Sequence, residues 1–220
     1  METFQNVIQV SFREVMNKDH SLKGNWNKEF FKNENPITLE LGCGKGEYTV
    51  GLAKKYPGRN FLGVDIKGAR IWKGAKFALE NVIENSGFIR TRIDFIDSFF
   101  SEHEIDEIWI TFPDPQPKKT LKRLTSSRFL NRYRKFITDN GYINLKTDNR
   151  ELYEYTCKLV KYNQYEVDFM TDDLYNSKYN NDILSVKTFY EEMWLEEGSN
   201  IHYIRFKLKK EKECEEPPEE

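Results

Sequence analysis

Residues 37–65 read ITLELGCGKGEYTVGLAKKYPGRNFLGVD, and this stretch decides the predicted fold. The apolar run ITLEL predicts a strand, GCGKG a turn, and EYTVGLAKKY a helix that ends at Pro57-Gly58. NFLGVD then predicts a second strand. A strand, a glycine turn, a helix and another strand form one βαβ unit, in which the two strands run parallel.

The same alternation continues along the chain. Three more strands are predicted at 88–94, 107–112 and 142–147, and three helices at 67–85, 127–138 and 150–163. The last two predicted strands, EVDFM at 166–170 and IHYIRFKL at 201–208, have no convincing helix between them, which favours an antiparallel edge. The sequence therefore predicts a doubly wound α/β fold with a mostly parallel seven-stranded sheet and an antiparallel edge strand.

Charge is unevenly distributed along the 220 residues, whose formal net charge is −2. Residues 211–220 hold six Glu and one Lys, a charge of −5, so the remainder carries +3. Eight Lys or Arg and no acid lie between Lys118 and Lys135, which indicates a polyanionic partner, with a solvated helix face as the alternative. We predict an acidic, disordered tail at 211–220.

Several classes of protein are disfavoured by composition. No apolar run approaches the ~20 residues that a membrane span needs, and the N-terminus lacks the apolar block of a signal peptide. Three widely spaced cysteines predict neither a disulfide framework nor a metal site. We expect a cytoplasmic protein with no metal and no membrane partner.

The glycine loop favours a cationic ligand. Gly42, Gly44 and Gly46 follow the first strand, but the third glycine comes one residue too early for a dinucleotide-binding fingerprint. Glu40 precedes the loop and Glu47 opens the helix, and negative charge is unfavourable beside a pyrophosphate. An ammonium and a sulfonium suit this site, which predicts S-adenosylmethionine; a simple tight turn is the alternative.

Two more acids are predicted to bind that cofactor. Asp65 ends the second strand, where a carboxylate can accept hydrogen bonds from both ribose hydroxyls. Asp94 ends the third predicted strand and is expected to reach the adenine amino group, with an ordinary strand-end acid as the alternative.

The fourth predicted strand runs into TFPDPQPKKTLKR at 111–123. Asp114 lies between two prolines, which fix φ and stiffen the turn, so its carboxylate is predicted to stay in one place. At the tip of the fourth strand, this carboxylate is predicted to face the sulfonium methyl group. The cations that follow are predicted to contact RNA phosphates: Lys118, Lys119, Lys122 and Arg123.

These motifs, together with LKTDN at 145–149 and TFYE at 188–191, resemble those of the bacterial tRNA (guanine-N7)-methyltransferases, from Ile37 to Trp194. The resemblance implies a Rossmann-like methyltransferase that methylates N7 of the guanosine at position 46, in the tRNA variable loop. It implies a cofactor site lined by Glu40, Asp65, Asp94 and Asp114, and a guanosine site formed by Lys118, Asp148 and the segment Thr188–Glu191. We also predict a methyltransferase domain at 36–210 and an N-terminal extension, residues 1–35, that contacts RNA.

Two departures from the family pattern stand out: Gln116 replaces the usual Trp, and Met193 a common arginine. The alternative role for Asp148 is a helix N-cap, and for Glu191 a solvated helical acid. Otherwise both are predicted to accept hydrogen bonds from guanine N1–H and the exocyclic amine.

Guanine N7 has a lone pair and no proton, so Asp114 is assigned to orientation and not to proton abstraction. An amino-group methyltransferase and a non-catalytic RNA-binding protein are the alternative functions; a monomer or a homodimer is expected.

Overall fold

The computed structural model describes residues 3–16, 18–179, 184 and 186–218, and within them it contains eight strands and six α-helices. The strands are β1 Val7–Gln9, β2 Ile37–Leu41, β3 Asn60–Asp65, β4 Ser86–Arg90, β5 Ile105–Thr111, β6 Ile137–Thr147, β7 Val167–Thr171 and β8 His202–Lys207. The helices are α1 Phe12–Val15, α2 Glu47–Lys55, α3 Gly68–Glu80, α4 Ser127–Tyr133, α5 Arg150–Tyr162 and α6 Phe189–Glu196.

All eight strands form one sheet in the order β1-β4-β3-β2-β5-β6-β8-β7. Every pair from β1 to β6 is parallel, and β8 pairs antiparallel with β6 and β7. The predicted doubly wound fold with an antiparallel edge is confirmed, although the sheet has one strand more than predicted. The strand order reverses between β2 and β5, so the loops after these strands meet at the switch point where such sheets bind ligands.

Residues alternate between two buried layers along the strands, as the pleat requires. In β5, Ile108 and Ile110 join the larger core with α4 and α5, whereas Trp109 joins a second cluster with Tyr48 of α2. Helix α3 packs against the same face as α2 in a third cluster. Helices therefore cover both faces of the sheet, and its carboxyl edge is left for the loops.

The predicted N-terminal extension is part of this fold, so the boundary at residue 36 needs correction. Strand β1 pairs parallel with β4, and a π-helical turn at Trp26–Phe31 buries Trp26 completely. The Trp26 indole N–H donates to the carbonyl of Phe99 at 2.8 Å. Local patterning gave no sign of these contacts because β1 is only three residues long.

The predicted disordered tail also needs correction, as far as residue 218; Glu219 and Glu220 lie outside the described residues. Cys214 is buried and exchanges two hydrogen bonds with the side chain of Asn131. Glu216 accepts hydrogen bonds from the Ser127 amide and the Tyr155 hydroxyl. The acidic segment is thus ordered by contacts with α4 and α5.

Two further details differ from the prediction. Helix α6 lies between β7 and β8, where no helix is predicted, and a capping box of Thr188 and Glu191 begins it. The predicted turn at 139–141 lies inside β6, where the pairing with β5 shifts register between Ile105 and Glu107. The helix was not predicted because the apolar stripe of α6 is short, and the turn was predicted because the sequence DNG is typical of turns.

Candidate functional site

A cavity of about 420 Å³ opens at the switch point. It brings together the glycine loop, the ends of β3 and β4, and the loop after β5, although these segments are far apart in sequence. Its lining consists of Gly42, Asp65, Ile66, Thr91, Arg92, Ile93, Asp94, Gln116, Lys122, Leu124, Arg128 and Phe129. The cavity combines apolar walls with carboxylates, a pattern suited to a flat ring and a polar sugar.

Glycine occupies the three loop positions for different structural reasons. Gly42 and Gly44 adopt φ of +78° and +55°, and the space where their side chains would lie is open for 4 Å. Gly46 would instead place a Cβ 2.5 Å from the Phe88 ring. The first two glycines therefore leave backbone accessible to a ligand, whereas Gly46 allows close packing of the loop on β4.

Asp65 braces the glycine loop and faces the cavity. One carboxylate oxygen accepts the Gly44 amide at 3.0 Å, and the other accepts the Lys67 amide at 2.8 Å. Each oxygen has a second lone-pair direction for a ligand hydroxyl. The position of Asp65 beside the loop fits the predicted ribose contact, which itself stays a prediction.

Asp94 lines the same cavity but does not end a strand. Strand β4 stops at Arg90, and Asp94 lies in a 3₁₀ helix, Ile93–Ser98, that follows. Its carboxylate forms ion pairs with Arg128 at 2.6 Å and Arg92 at 3.3 Å. Neither arginine was predicted as a site residue. Arg92 is only two residues from Asp94, whereas Arg128 lies 34 residues away on α4, so nothing local to Arg128 indicates this partner.

Glu40 lies beneath the loop and is 4 % exposed. Its carboxylate accepts hydrogen bonds from the Thr49 amide at 2.9 Å, from the Thr49 hydroxyl, and from the Thr111 hydroxyl at 2.6 Å. Burial raises the pKa of Glu40 to about 7, although the hydrogen bonds from Thr111 and Thr49 oppose this rise. Glu40 therefore ties β2, α2 and β5 together and changes charge near neutral pH.

The PDPQP loop after β5 has a strained backbone. Phe112 and Gln116 adopt φ of 47° and 45°, in the left-handed region that such residues rarely occupy. Asp114 lies between them, is exposed, and accepts the Gln116 amide at 3.1 Å. Strain at two residues that flank one carboxylate is typical of functional loops. Gln116, at the position where the family usually has Trp, lines the cavity itself.

Arg123 is not the exposed phosphate contact that the sequence predicts. It is 2 % exposed, and its Nε donates to the Pro115 carbonyl at 2.9 Å. It also pairs with Glu151 at 2.5 Å and stacks over the Tyr155 ring at 4.6 Å. Arg123 thus holds the PDPQP loop from below, because a guanidinium can satisfy several partners at once.

Much of the predicted basic run is neutralised in the structure. Arg128 pairs with Asp94, and Arg132 and Lys135 pair with Asp97 at 2.9 and 2.8 Å. The ammonium groups of Lys118, Lys119 and Lys122 are exposed and have no acidic partner within 4 Å among the described residues. These three lysines are therefore the part of the run that can contact phosphate without first breaking an ion pair.

Asp148 is not a helix N-cap. The cap of α5 is its neighbour Asn149, whose side chain accepts the Leu152 amide at 2.8 Å. The Asp148 carboxylate, half-buried at the end of β6, accepts no hydrogen bond from another residue that the structure describes. Burial raises the pKa of Asp148, against the opposing effect of His202. A half-buried carboxylate that accepts no hydrogen bond from another described residue fits a ligand contact at this edge.

Glu191 is neither solvated nor open to a base. It is fully buried, and its Oε1 lies 2.6 Å from the Lys146 ammonium and accepts the Tyr175 hydroxyl at 2.6 Å. Its other oxygen accepts the Thr188 amide at 3.4 Å, while Thr188 Oγ1 accepts the Glu191 amide at 3.2 Å. Both predicted roles of Glu191 therefore need correction: its carboxylate anchors α6 to β6, and Thr188 is the N-cap.

Lys146 is the residue that sequence reasoning missed here. A lysine inside the apolar strand YINLKT was a usable signal, because lysine is almost never fully buried without a partner. Among the described residues, no three His, Cys, Asp or Glu side chains cluster as a metal site. In the same part of the chain, no helix has the length and apolarity to cross a membrane.

Comparison with solved structures shows the fold. A crystal structure of the 16S rRNA methyltransferase KamB superposes with a TM-score of 0.63 at 10 % identity, covering 83 % of this chain and 92 % of that one. A 16S rRNA (adenine(1408)-N(1))-methyltransferase with cosubstrate SAM gives 0.56 at 13 % identity, covering 84 % and 91 %. At such identities the likeness concerns architecture alone.

Sequence comparison shows the family. Residues 34–204 match a family described as "Putative methyltransferase". A tRNA (guanine-N(7)-)-methyltransferase of Bacteroides fragilis is 51 % identical over 99 % of this chain and 86 % of its own length. One of Christiangramia forsetii is 49 % identical over 94 % of both chains. This chain therefore belongs to the tRNA (guanine-N(7)-)-methyltransferase family.

Proposed function

We propose that the protein transfers a methyl group from S-adenosylmethionine to N7 of a guanosine in tRNA, and that the target is position 46 in the variable loop. One observation carries the proposal beyond family membership: the switch-point cavity joins Gly42, Asp65 and Asp94 to the PDPQP loop and Lys122. A cofactor pocket thus opens directly onto a strained, carboxylate-bearing loop and an unpaired cation.

The described residues fit the cofactor. The open space at Gly42 and Gly44 suits a ligand that approaches backbone closely. Asp65 would hold the ribose, Ile66 and Ile93 would flank the adenine, and Asp94 would accept from its amino group, sharing its carboxylate with Arg92 and Arg128. S-adenosylmethionine supplies an electrophilic methyl group on a sulfonium.

The loop residues act by positioning. Guanine N7 has an in-plane lone pair and no proton, so no strong base is required, and alignment of the reacting atoms is the main task. Asp114 would orient the guanine edge, held in place by its contact with the Gln116 amide and by Arg123 beneath the loop. Asp148 would accept from guanine N1–H and the exocyclic amine, without Glu191, which is occupied by Lys146. Lys118 would contact the guanosine phosphate.

Three finer parts of the proposal concern the N-terminal residues, the cellular location and the oligomeric state. Residues 1–35, of which the structure describes 3–16 and 18–35, are proposed to contact RNA. We also propose a cytoplasmic location and a monomer or homodimer.

The decisive experiment is to incubate the protein with unmodified tRNA and labelled S-adenosylmethionine, digest the RNA, and identify the nucleoside. We expect 7-methylguanosine, lost when guanosine 46 is replaced by adenosine. Label in a methylated exocyclic amine would support the amino-group alternative, and absence of label with intact RNA binding the non-catalytic one.

A further inference from the structure

The outer face of α3 carries unpaired positive charge that lies outside the predicted basic run. Between Ile66 and Leu79 there are four Lys or Arg and no Asp or Glu. Lys67, Arg70 and Lys73 are exposed and have no acidic partner within 4 Å among the described residues. Lys76 alone of the four is paired, with Glu80 at 3.5 Å. Unpaired, exposed cations on one helix face form a strong positive surface.

A groove of about 400 Å³ runs between the two helices beside these cations. Its floor is small and apolar, at Val50 and Gly74, and its rim carries Lys54 and Lys73 as well as Glu47, which pairs with Lys45 at 3.9 Å. Phe77 lines it and is 47 % exposed, and the neighbouring Trp72 is 41 % exposed. Proteins that bind single-stranded nucleic acid use this pattern: bases stack on exposed aromatic rings, and the cations between the rings contact phosphates.

The segments that line this groove lie next to those that line the cofactor cavity along the chain. Helix α2 begins directly after the glycine loop, and α3 begins three residues after Asp65. The groove therefore starts at the carboxyl edge of the sheet, with Lys45 and Gly46 in its lining. It lies on the opposite face of the sheet from α4, the helix that carries the C-terminal half of the basic run.

We propose that the α2–α3 face is a second RNA-docking surface, which binds backbone phosphates and an unstacked base of the same tRNA whose guanosine enters the site. The inference rests on the proposed function. A tRNA extends far beyond one nucleotide, so a surface that adjoins the cavity and bears uncompensated positive charge is covered when the target base is in place. The two surfaces then grip the RNA from both faces of the sheet.

The test is the double variant Arg70→Glu/Lys73→Glu, with Lys161→Glu/Lys209→Glu as the control of equal charge change. Lys161 and Lys209 are exposed and have no acidic partner within 4 Å among the described residues. Lys161 lies in the last turn of α5 and Lys209 follows the end of β8, both away from the cavity. We expect the double variant to weaken tRNA binding by about ten- to thirtyfold at ~0.15 M salt. The slope of log K against log salt should fall by roughly 1.4 to 1.8, for two lost contacts.

Affinity for S-adenosylmethionine, measured by calorimetry, should be the same in both variants, which shows that the cavity is intact. The neutral variant Arg70→Gln/Lys73→Gln should show the same change of slope with a smaller loss of affinity, so misfolding through charge reversal is separated from lost contact. Equal tRNA affinity in the double variant and the control would overturn the inference. A difference in sedimentation between the RNA-free double variant and the RNA-free wild-type protein would also overturn the inference, since the face would then dock a second copy of the chain. Failure of the proposed function is distinct, because the wild-type protein would then form no 7-methylguanosine.

Discussion

Replacing Lys146 by methionine is the sharpest test of how α6 is held on the sheet. The ammonium of Lys146 lies 2.6 Å from Glu191, and both side chains are fully buried. Methionine matches the length of the lysine stem but leaves the Glu191 carboxylate buried without a counter-charge. Removal of one partner from a buried ion pair costs about 3–5 kcal/mol. For a chain of this size, that corresponds to a fall in Tm of roughly 6–20 °C.

The companion variant is Glu191→Gln, whose amide oxygen can accept the Thr188 amide while its NH2 group donates to the Tyr175 hydroxyl. Its loss of stability should be smaller, because burial already lowers the pKa of Lys146 and the amine can lose its proton. The double variant Lys146→Met/Glu191→Gln contains no buried charge at this position. We expect it to recover at least about 2 kcal/mol relative to the sum of the single variants.

Urea unfolding followed by circular dichroism measures all three free energies of unfolding. Additive losses would refute the buried-pair assignment. The same variants separate the structural role of Glu191 from a base-contacting role: if Glu191 bound guanine, Glu191→Gln would lower kcat/KM for tRNA while the free energy of unfolding stayed near that of the wild type.

Three further predictions concern the cofactor and the loop. Asp65→Ala should weaken S-adenosylmethionine binding by roughly 1.5–3 kcal/mol per lost charge-assisted hydrogen bond; an unchanged Kd in a folded variant would exclude this ribose site. Since the pKa of Glu40 is raised to about 7, the carboxyl group ionises as pH rises, and affinity for the cationic cofactor should increase about tenfold from pH 6 to 8. Calorimetry should find this pH dependence absent in Glu40→Gln. Because the pKa of Glu40 is raised in the folded protein, its contribution to the free energy of unfolding is full below its unfolded pKa and is lost as pH rises through about 7. Asp114→Asn should lower kcat strongly with little change in tRNA affinity, and kcat at saturating cofactor should stay flat from pH 6.5 to 8.5; a steep rise abolished by the substitution would indicate proton abstraction.

The sheet was predictable because its signals are local. Residues 37–65 contain a complete βαβ unit, and the structure places β2, α2 and β3 within a residue of the predicted bounds. The carboxyl ends of neighbouring parallel strands share an edge of the sheet, so the proximity of Asp65 to the glycine loop can be predicted from topology alone. Strand β1 was missed for the converse reason: three residues carry too little pattern to be recognised, and pairing with β4 is what makes them a strand.

Side-chain roles were predicted less well, because the partner of a charge is set by tertiary structure. The partners of Arg123 and Arg128 lie 28 and 34 residues away in sequence, at Glu151 and Asp94. No window of local sequence contains both members of such a pair. A run of eight cations without an acid therefore looked uniformly basic, although half of its members are ion-paired in the folded chain.

The salt dependence of tRNA binding follows from this distinction and can test it. Only unpaired cations release counterions from RNA without breaking a protein ion pair, and each such contact contributes about 0.7–0.9 to the slope of log K against log salt. In the described residues, the two sequence runs hold six exposed cations of this kind: Lys67, Arg70, Lys73, Lys118, Lys119 and Lys122. The expected slope is about −4 to −5, whereas the twelve cations of the two sequence runs would give about −8 to −11. A titration of tRNA binding between 50 and 300 mM salt, about a sixfold range, distinguishes these values. A slope near −10 would mean that the RNA displaces Asp94, Asp97 and Glu151 from their arginines, and that the ion pairs of the free protein are themselves part of the binding reaction.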